Sequence, residues 1–174
     1  VADCMNLPLL DDSADAAICI AVLHHLSTHD RRVQCLRELA RVVKVGGLIN
    51  VQAWALDQEE SSRRKFATDD VFVPFNAQPK YLDLQSASTD TERKEGEATD
   101  VSGGRSTAQV YSEAFNAQYD DEKGLVVFKR YCHLYRSGEL EEIVAHVPNL
   151  ELVDGGFESG NYFIILRVSE AQLE

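Results

Sequence analysis

The chain has 174 residues, 44% of them hydrophobic, which is enough to bury one sizeable core and makes a single globular domain the simplest expectation. No run approaches the roughly 20 apolar residues that a membrane-spanning helix needs, and residues 1–10 lack the order of a signal peptide, so the sequence predicts a soluble, intracellular protein. The formal net charge of −12 argues against a general nucleic-acid binder, because such proteins usually carry a basic surface.

Basic residues nevertheless cluster at residues 63–65 and at Lys129-Arg130, with Arg136 close by. For residues 63–65 the simplest interpretation is solvated surface charge.

Four cysteines are spread along the chain without a Cys-x-x-Cys pair: Cys4, Cys19, Cys35 and Cys132. Three of them lie inside apolar runs, where free cysteine behaves as a small hydrophobic residue. We therefore expect neither a disulfide nor a zinc site within the chain.

The first residues, Val1-Ala2-Asp3, are two apolar residues and an acid without an initiator methionine. This pattern is typical of the last residues of a β-strand. We expect the chain to be a fragment of a longer protein.

The first third of the chain predicts a strand, a helix and a second strand. Residues 16–23 form a continuous apolar run, which is typical of a strand buried on both faces of a parallel sheet. Residues 27–30 can cap a helix, and apolar residues then recur at helical spacing until Gly46-Gly47. Because residues 48–54 are rich in β-prone side chains, the three elements predict a right-handed crossover unit.

The middle of the chain changes in composition. Residues 83–110 are mostly polar and charged, with almost no large apolar side chain before residue 107, so we predict a flexible surface insertion. The short apolar patch at residues 71–75 is expected to pack on the domain.

The last third resumes the α/β pattern. Residues 125–135 are strand-like, and Ser137 is expected to cap a helix over residues 139–147 that ends before Pro148. Residues 151–154 and 162–168 predict two strands, most simply an antiparallel pair at the sheet edge.

Several blocks, at residues 2–8, 15–25 and 36–47, resemble class I methyltransferases. Narrower blocks resemble the eukaryotic carboxymethyluridine transfer-RNA methyltransferases, including the methyltransferase half of the AlkB-type transfer-RNA hydroxylase; they lie at residues 51–55, 70–75, 130–140 and 160–162. The most discriminating is Arg-Tyr-x-His followed by Gly-Glu-Leu, at residues 130–140.

The resemblance implies a Rossmann-like class I methyltransferase sheet that is incomplete at its N-terminus and ends in an antiparallel pair, with residues 1–174 as the C-terminal part of one domain. Two departures stand out. The glycine-rich loop and the acidic ribose-binding residue of such folds are absent from the chain. Cys132 stands where this family usually has a second tyrosine.

The cofactor that the resemblance implies is S-adenosylmethionine, with contacts from Asp3, Cys4, Ala21 and Val22. The Asp3 carboxylate can accept a hydrogen bond from the adenine amino group, and the next backbone N–H can meet a ring nitrogen. The alternative role of Asp3 is to cap the turn that follows it. Small or apolar residues at Ala21 and Val22 let the backbone approach the methionine portion, and their alternative role is in the core.

The resemblance also implies a set of substrate-binding residues, which are His24, His25, Trp54, Arg130, Tyr131, His133, Arg136 and Asn161. Trp54 can stack on a flipped wobble base, although it fits equally as a core aromatic. One of His24 and His25 is expected to be functional and the other structural, without a preference between them. The alternative for residues 130–135 is a solvent-facing strand with Tyr131 and His133 on one face.

The implied reaction is methyl esterification of 5-carboxymethyluridine at the transfer-RNA wobble position. A carboxylate is already ionised near neutral pH, so we expect positioning residues and no catalytic acid or base. The family further implies transfer RNA and a small zinc-binding activator protein as partners, and a location in the cytoplasm or also in the nucleus.

Two alternatives remain. A small-molecule class I methyltransferase, of the quinone or sterol type, would share the residue 2–8 and 36–47 blocks, although the block at residues 130–140 argues against it. A truncated, non-catalytic binding module would retain the fold without the cofactor loop.

Overall fold

The computed structural model describes residues 2–60, 62, 64–82 and 107–170. The chain divides into two compact units: one comprises Val1–Val71 with Tyr131–Glu174, and the other Phe72–Arg130. Of the predicted insertion at 83–110, residues 83–106 lie outside the described residues. The remaining residues, 107–110, are wrongly predicted as flexible, because they begin a helix.

The elements along the chain are β1 (Ala14–Ile20), α1 (His29–Val42), β2 (Val43–Trp54), β3 (Asp70–Ala77), α2 (Thr107–Phe115), β4 (Gln118–Asp120), β5 (Leu125–His133), α3 (Glu139–Val144), β6 (Leu150–Glu158) and β7 (Asn161–Val168), with 3-10 turns at Leu23–His25 and Pro79–Tyr81. None of the described helices is long and apolar enough to cross a membrane.

The main sheet has four strands in the order β1-β2-β7-β6. Strand β1 is parallel to β2, whereas β7 is antiparallel to both of its neighbours. The β1-α1-β2 crossover and the terminal antiparallel pair are therefore confirmed. A second sheet has the strand order β3-β5-β4. In the second unit, the Tyr111 ring of α2 stacks on the Tyr119 ring of β4, with 5.8 Å between the ring centres.

Helix α1 begins where the sequence predicts, because the Thr28 hydroxyl accepts a hydrogen bond from the Arg31 backbone N–H at 3.3 Å. It ends at Val42 rather than at Gly46-Gly47. Val43 already pairs with Ala14 of β1, and the next pairing joins Ala16 to Leu48, so the extra residues form a bulge in β2.

The core lies on one face of the main sheet. Cys19, Val51 and Ile164 are in register on that face, where they are buried beneath α1 and α3. The prediction that β1 is buried on both faces is wrong, because Ile18 is 75% exposed and Ile20 48% exposed on the other face. In the described part of the chain, β1 is an edge strand that pairs with β2 alone.

Two local predictions also need correction. The N-cap of α3 is Gly138, in a left-handed conformation with φ +87°, and not Ser137; the helix then ends at Val144 rather than at 147. The patch at residues 71–75 is part of strand β3, and its Phe72 and Phe75 side chains are exposed rather than packed.

Candidate functional site

The carboxyl ends of β1 and β2 meet at one edge of the main sheet because these strands are parallel. Strand β7 runs the other way and begins at the same edge, where Asn161 pairs with Trp54. The structure therefore brings Ala21, Trp54 and Asn161, which are far apart in sequence, to one edge. Open α/β sheets bind their ligands at this edge.

Ala21 has a left-handed backbone conformation, with φ +57°, directly after β1. Its N–H donates to the Gln52 carbonyl at 3.0 Å, which holds the turn against β2. A non-glycine residue in this conformation costs roughly 1–2 kcal/mol and is often found at functional sites. The sequence gives no sign of this strain, since alanine is common in every kind of element.

The two adjacent histidines have different environments. His24 is 1% exposed, and its Nδ1 accepts a hydrogen bond from the Trp54 backbone N–H at 3.3 Å. His25 is half-buried, and its Nδ1 lies 3.0 Å from the carbonyl oxygen of Tyr131. Because a carbonyl only accepts, His25 Nδ1 carries the hydrogen, which leaves Nε2 as the acceptor in the neutral ring. Of the pair, His25 is the better functional candidate.

The Trp54 ring contacts two other rings and one guanidinium at this edge. It lies 4.9 Å from the His24 ring and 6.4 Å from the Phe66 ring, and the Arg64 guanidinium lies over it at 4.7 Å. Arg64 is exposed, as predicted for a surface charge, and in addition contacts the Trp54 ring. Its contact with Trp54 is tertiary and leaves no periodic signal in the sequence.

Asn161 and Tyr162 begin β7 beside Trp54. The Asn161 side-chain amide donates to the Ser159 carbonyl at 3.0 Å and thereby holds the β6–β7 turn. The Tyr162 hydroxyl donates to Asp57 Oδ2 at 3.4 Å. Burial, followed by the nearby Asp57 charge, raises the pKa of Tyr162, so this phenol stays neutral.

The Tyr131 and His133 side chains point into a charged cluster. The Tyr131 hydroxyl donates to Asp70 Oδ1, and His133 Nδ1 lies 2.9 Å from the same oxygen. His133 Nε2 lies 2.5 Å from Glu139 Oε1. The buried Arg32, which the sequence did not single out, donates to the Tyr131 hydroxyl at 3.4 Å and completes the cluster.

The charges in this cluster shift one another's pKa values. Burial alone would lower the pKa of His133, but the hydrogen bonds that its ring donates to Glu139 and Asp70 raise it above its usual value. The hydrogen bonds from Tyr131 and His133 lower the pKa of Asp70. Burial opposes ionisation of Glu139, yet the His133 hydrogen bond makes the net shift of its pKa downward. The cluster thus favours a cationic His133 between two carboxylates.

The two arginines of the block have other partners. Arg136 is exposed and donates to Asp69 Oδ2 at 3.1 Å. Arg130 belongs to the second unit, where its guanidinium lies 5.3 Å from the centre of the Phe75 ring. The Arg130 Nε atom is buried and has no hydrogen-bond partner among the described residues.

Asp3 and Cys4 lie in a turn at the start of the chain. The exposed Asp3 accepts a hydrogen bond at Oδ1 from the Met5 backbone N–H at 2.9 Å, so the turn-capping role is present. Cys4 packs against the main core, next to Cys35. The side-chain hydrogen bond with Cys19, followed by burial, raises the pKa of Cys35, so its thiol stays protonated.

Comparison with known proteins agrees with this geometry. A family model described as a methyltransferase domain matches residues 1–51. The chain is 33% identical to the tRNA (carboxymethyluridine(34)-5-O)-methyltransferase of Saccharomyces cerevisiae, over 96% of the chain and 67% of the relative. It is 29% identical to the Arabidopsis thaliana protein of the same name, over 96% of the chain.

The fold is shared with the CcbJ methyltransferase of Streptomyces caelestis, with a TM-score of 0.56 at 16% identity, over 97% of the chain and 62% of that structure. The chain spans 61% of the length of its Arabidopsis relative. The antiparallel β7 between β2 and β6 and the identity to the yeast enzyme lead to one assignment. The chain belongs to the family of tRNA (carboxymethyluridine(34)-5-O)-methyltransferases.

Proposed function

We propose that the protein transfers a methyl group from S-adenosylmethionine to the carboxylate of 5-carboxymethyluridine at the transfer-RNA wobble position. The product is the methyl ester. Family membership supports the reaction type, and the arrangement of side chains at the carboxyl edge of β1 and β2 supports the kind of substrate. The small-molecule alternative has no comparable support from the site.

The observation that carries the proposal is the stack of Arg64, Trp54 and His24 at this edge. An indole face binds an unstacked base of any kind with about 1–3 kcal/mol per base, and the exposed Arg64 side chain would move off the Trp54 ring to admit it. A guanidinium can pair with a carboxylate through two parallel hydrogen bonds. A platform of this composition suits a uridine that carries a carboxylate, even in a chain of net charge −12.

The residues at the edge also fit the cofactor. Ala21 has a small side chain and is exposed in its strained turn, so its backbone is open to a close-lying ligand. Val22, Cys4 and Asp3 would contribute the remaining contacts, with the exposed Asp3 carboxylate as the acceptor for an amino group. When bound, S-adenosylmethionine supplies an electrophilic methyl group on a positively charged sulfur.

The work of the chain's own residues is then positioning. Arg64 would orient the substrate carboxylate, and Trp54 and Phe66 would exclude water from one side of the base. The His25 ring would be held at the edge by the contact of its Nδ1 with the Tyr131 carbonyl. The Asp70–His133–Glu139 cluster would hold β5 and α3 in place without touching the substrate.

Partners follow from the family alone. Transfer RNA is the proposed substrate, a small zinc-binding activator protein the proposed partner, and the cytoplasm, or also the nucleus, the proposed location. No contact among the described residues bears on the activator or the location.

The proposal is tested by methyl transfer from radiolabelled S-adenosylmethionine with the protein at its natural length. We expect labelling of transfer RNA that carries 5-carboxymethyluridine, none of the same transfer RNA with unmodified uridine, and loss of label after mild alkaline hydrolysis of the ester. Labelling of a quinone with none of transfer RNA would instead support the small-molecule alternative.

A further inference from the structure

Three potential metal ligands converge beside the candidate site. His24 and His25 lie in the 3-10 turn after β1, and Cys132 lies in β5. One donor atom from each falls within 4.8 Å of the others, and in the described part of the chain no other group of three or more His, Cys, Asp or Glu residues does so. The cysteine spacing predicts no zinc site, because the chain has no Cys-x-x-Cys pair and Cys132 lies 107 positions from His25.

The thiol and one imidazole are already at coordinating distance. Cys132 Sγ lies 3.5 Å from His25 Nδ1. A tetrahedral zinc ion with Zn–S of about 2.3 Å and Zn–N of about 2.0 Å holds sulfur and nitrogen roughly 3.5 Å apart. The spacing therefore needs little adjustment to admit a zinc ion between these two atoms.

The environment favours a borderline-soft metal. Cys132 is fully buried and His24 is 1% exposed, so these two donors are shielded from competing water, whereas His25 is half-buried. A thiolate with two imidazoles suits zinc and disfavours magnesium and calcium, which require oxygen donors. Three protein ligands leave a fourth position for a water molecule or a substrate group.

We propose that His24, His25 and Cys132 form a zinc-binding site that ties the turn after β1 to strand β5. On binding, the Cys132 thiol releases its proton to solvent, and the His25 proton moves from Nδ1 to Nε2 as Nδ1 takes the metal. His25 then gives up its contact with the Tyr131 carbonyl, whereas His24 keeps its 3.3 Å hydrogen bond from Trp54 N–H at Nδ1 and offers Nε2 to the metal. The site goes beyond the proposed function and does not depend on it.

A metal bound here fixes the turn that positions His25 and the backbone of Trp54. Because it binds the folded state, it also stabilises that state by mass action.

Cobalt(II) titration tests the site, because a cobalt–thiolate bond has a near-ultraviolet charge-transfer band that water and imidazole ligands do not produce. We expect one equivalent to give this band in the wild-type chain and in Cys35→Ser, which removes a buried thiol outside the group. Cys132→Ser should abolish it. Zinc should displace the cobalt and raise the melting temperature of the wild type but not of Cys132→Ser.

Absence of the band in the wild type overturns the site. A band that persists in Cys132→Ser, or that disappears in Cys35→Ser, assigns the metal to other thiols and overturns it equally. Cys132→Ala also removes the thiol and serves as a second variant if Cys132→Ser does not fold. None of these measurements uses methyl transfer, so failure here leaves the proposed function unaffected.

Discussion

His133 Nε2 lies 2.5 Å from Glu139 Oε1, six residues further along the chain. This contact joins the end of β5 to the first residue of α3, and the second ring nitrogen joins the same histidine to Asp70 at the start of β3. Both nitrogens of the ring therefore face carboxylates. The Arg-Tyr-x-His block, the most discriminating motif in the sequence, thus contains a histidine that holds structure together.

The cluster predicts a pH-dependent stability that His133→Gln removes. Because the pKa of His133 is raised on folding, the folded chain binds this proton more tightly than the unfolded chain. Its contribution is fully present below the unfolded pKa of about 6.5 and is lost as pH rises through the higher folded pKa. Urea unfolding at several pH values between about 5 and about 9 measures it.

The control is His146→Gln, which changes an exposed histidine outside the cluster. Asp70 and Glu139 have lowered pKa values and add stability that is lost only as pH falls through those values, in a separate acidic window. A wild-type profile that parallels that of His133→Gln above about pH 6.5 would show that this histidine is not held as a cation.

The Gly46-Gly47 bulge offers a matched pair of substitutions. A Cβ atom at Gly47 would lie 2.6 Å from the Asp15 carbonyl oxygen, which is a backbone atom of β1, the strand that pairs with β2. At Gly46 a Cβ would meet nothing within 4 Å, but the φ of +84° is unfavourable for alanine. We expect Gly47→Ala to lower the free energy of unfolding by about 3 kcal/mol and Gly46→Ala to lower it by about 1 kcal/mol.

Denaturant unfolding of the two variants measures this difference directly. Equal losses would mean that β2 can move away from Asp15 at no extra cost, and that the parallel pairing of β1 and β2 is looser than the bulge suggests.

The cap of α1 gives a third prediction. Thr28→Ala removes the acceptor of the Arg31 N–H and should destabilise the chain by about 1 kcal/mol, whereas Thr28→Ser keeps the acceptor and should stay within a few tenths of the wild-type free energy of unfolding. Thermal and urea unfolding of both variants distinguish the cap from the methyl group. A similar loss in both would attribute the effect to packing of the threonine methyl.

Local patterns predicted much of the fold. The apolar periodicity of residues 33–43 and the cap at Thr28 placed α1, and the β-prone runs placed β2 and β7. The helix end was missed because the bulge in β2 follows from pairing with β1, which periodicity does not report. The exposure of Ile18 was missed for a different reason. A run of apolar residues does not show whether both faces of the strand are covered by other elements.

The site was predicted only where family motifs mark it. Trp54 and Asn161 were singled out, and the strand register brings them together. Arg64, Arg32 and the grouping of Cys132 with the two histidines arise from tertiary contacts between distant segments. No spacing rule in a single sequence encodes such contacts.

The family resemblance implies Arg130 as a substrate-binding residue, which could orient the substrate carboxylate, whereas the structure places Arg64 over Trp54 at the ligand edge. These alternatives make opposite predictions for two glutamine variants of the protein at its natural length. We expect Arg64→Gln to reduce methyl transfer to carboxymethylated transfer RNA on the order of 100-fold, because an ill-positioned carboxylate rarely reaches the methyl group. Arg130→Gln should change the rate far less.

The affinity for S-adenosylmethionine, measured by calorimetric titration, should stay unchanged in Arg64→Gln, because Arg64 would act on the substrate and not on the cofactor. Lys65→Gln is the matched control, since it removes an exposed neighbouring charge whose Nζ donates to the Glu59 carbonyl at 3.0 Å.

The salt dependence of transfer-RNA binding and of turnover separates two possible roles of Arg64. Loss of a phosphate contact lowers the salt slope of binding by about one, whereas loss of a carboxylate contact lowers turnover at every salt concentration. A large loss in Arg130→Gln with full activity in Arg64→Gln would return the orienting role to Arg130 and leave the Trp54–Arg64 stack as a structural contact.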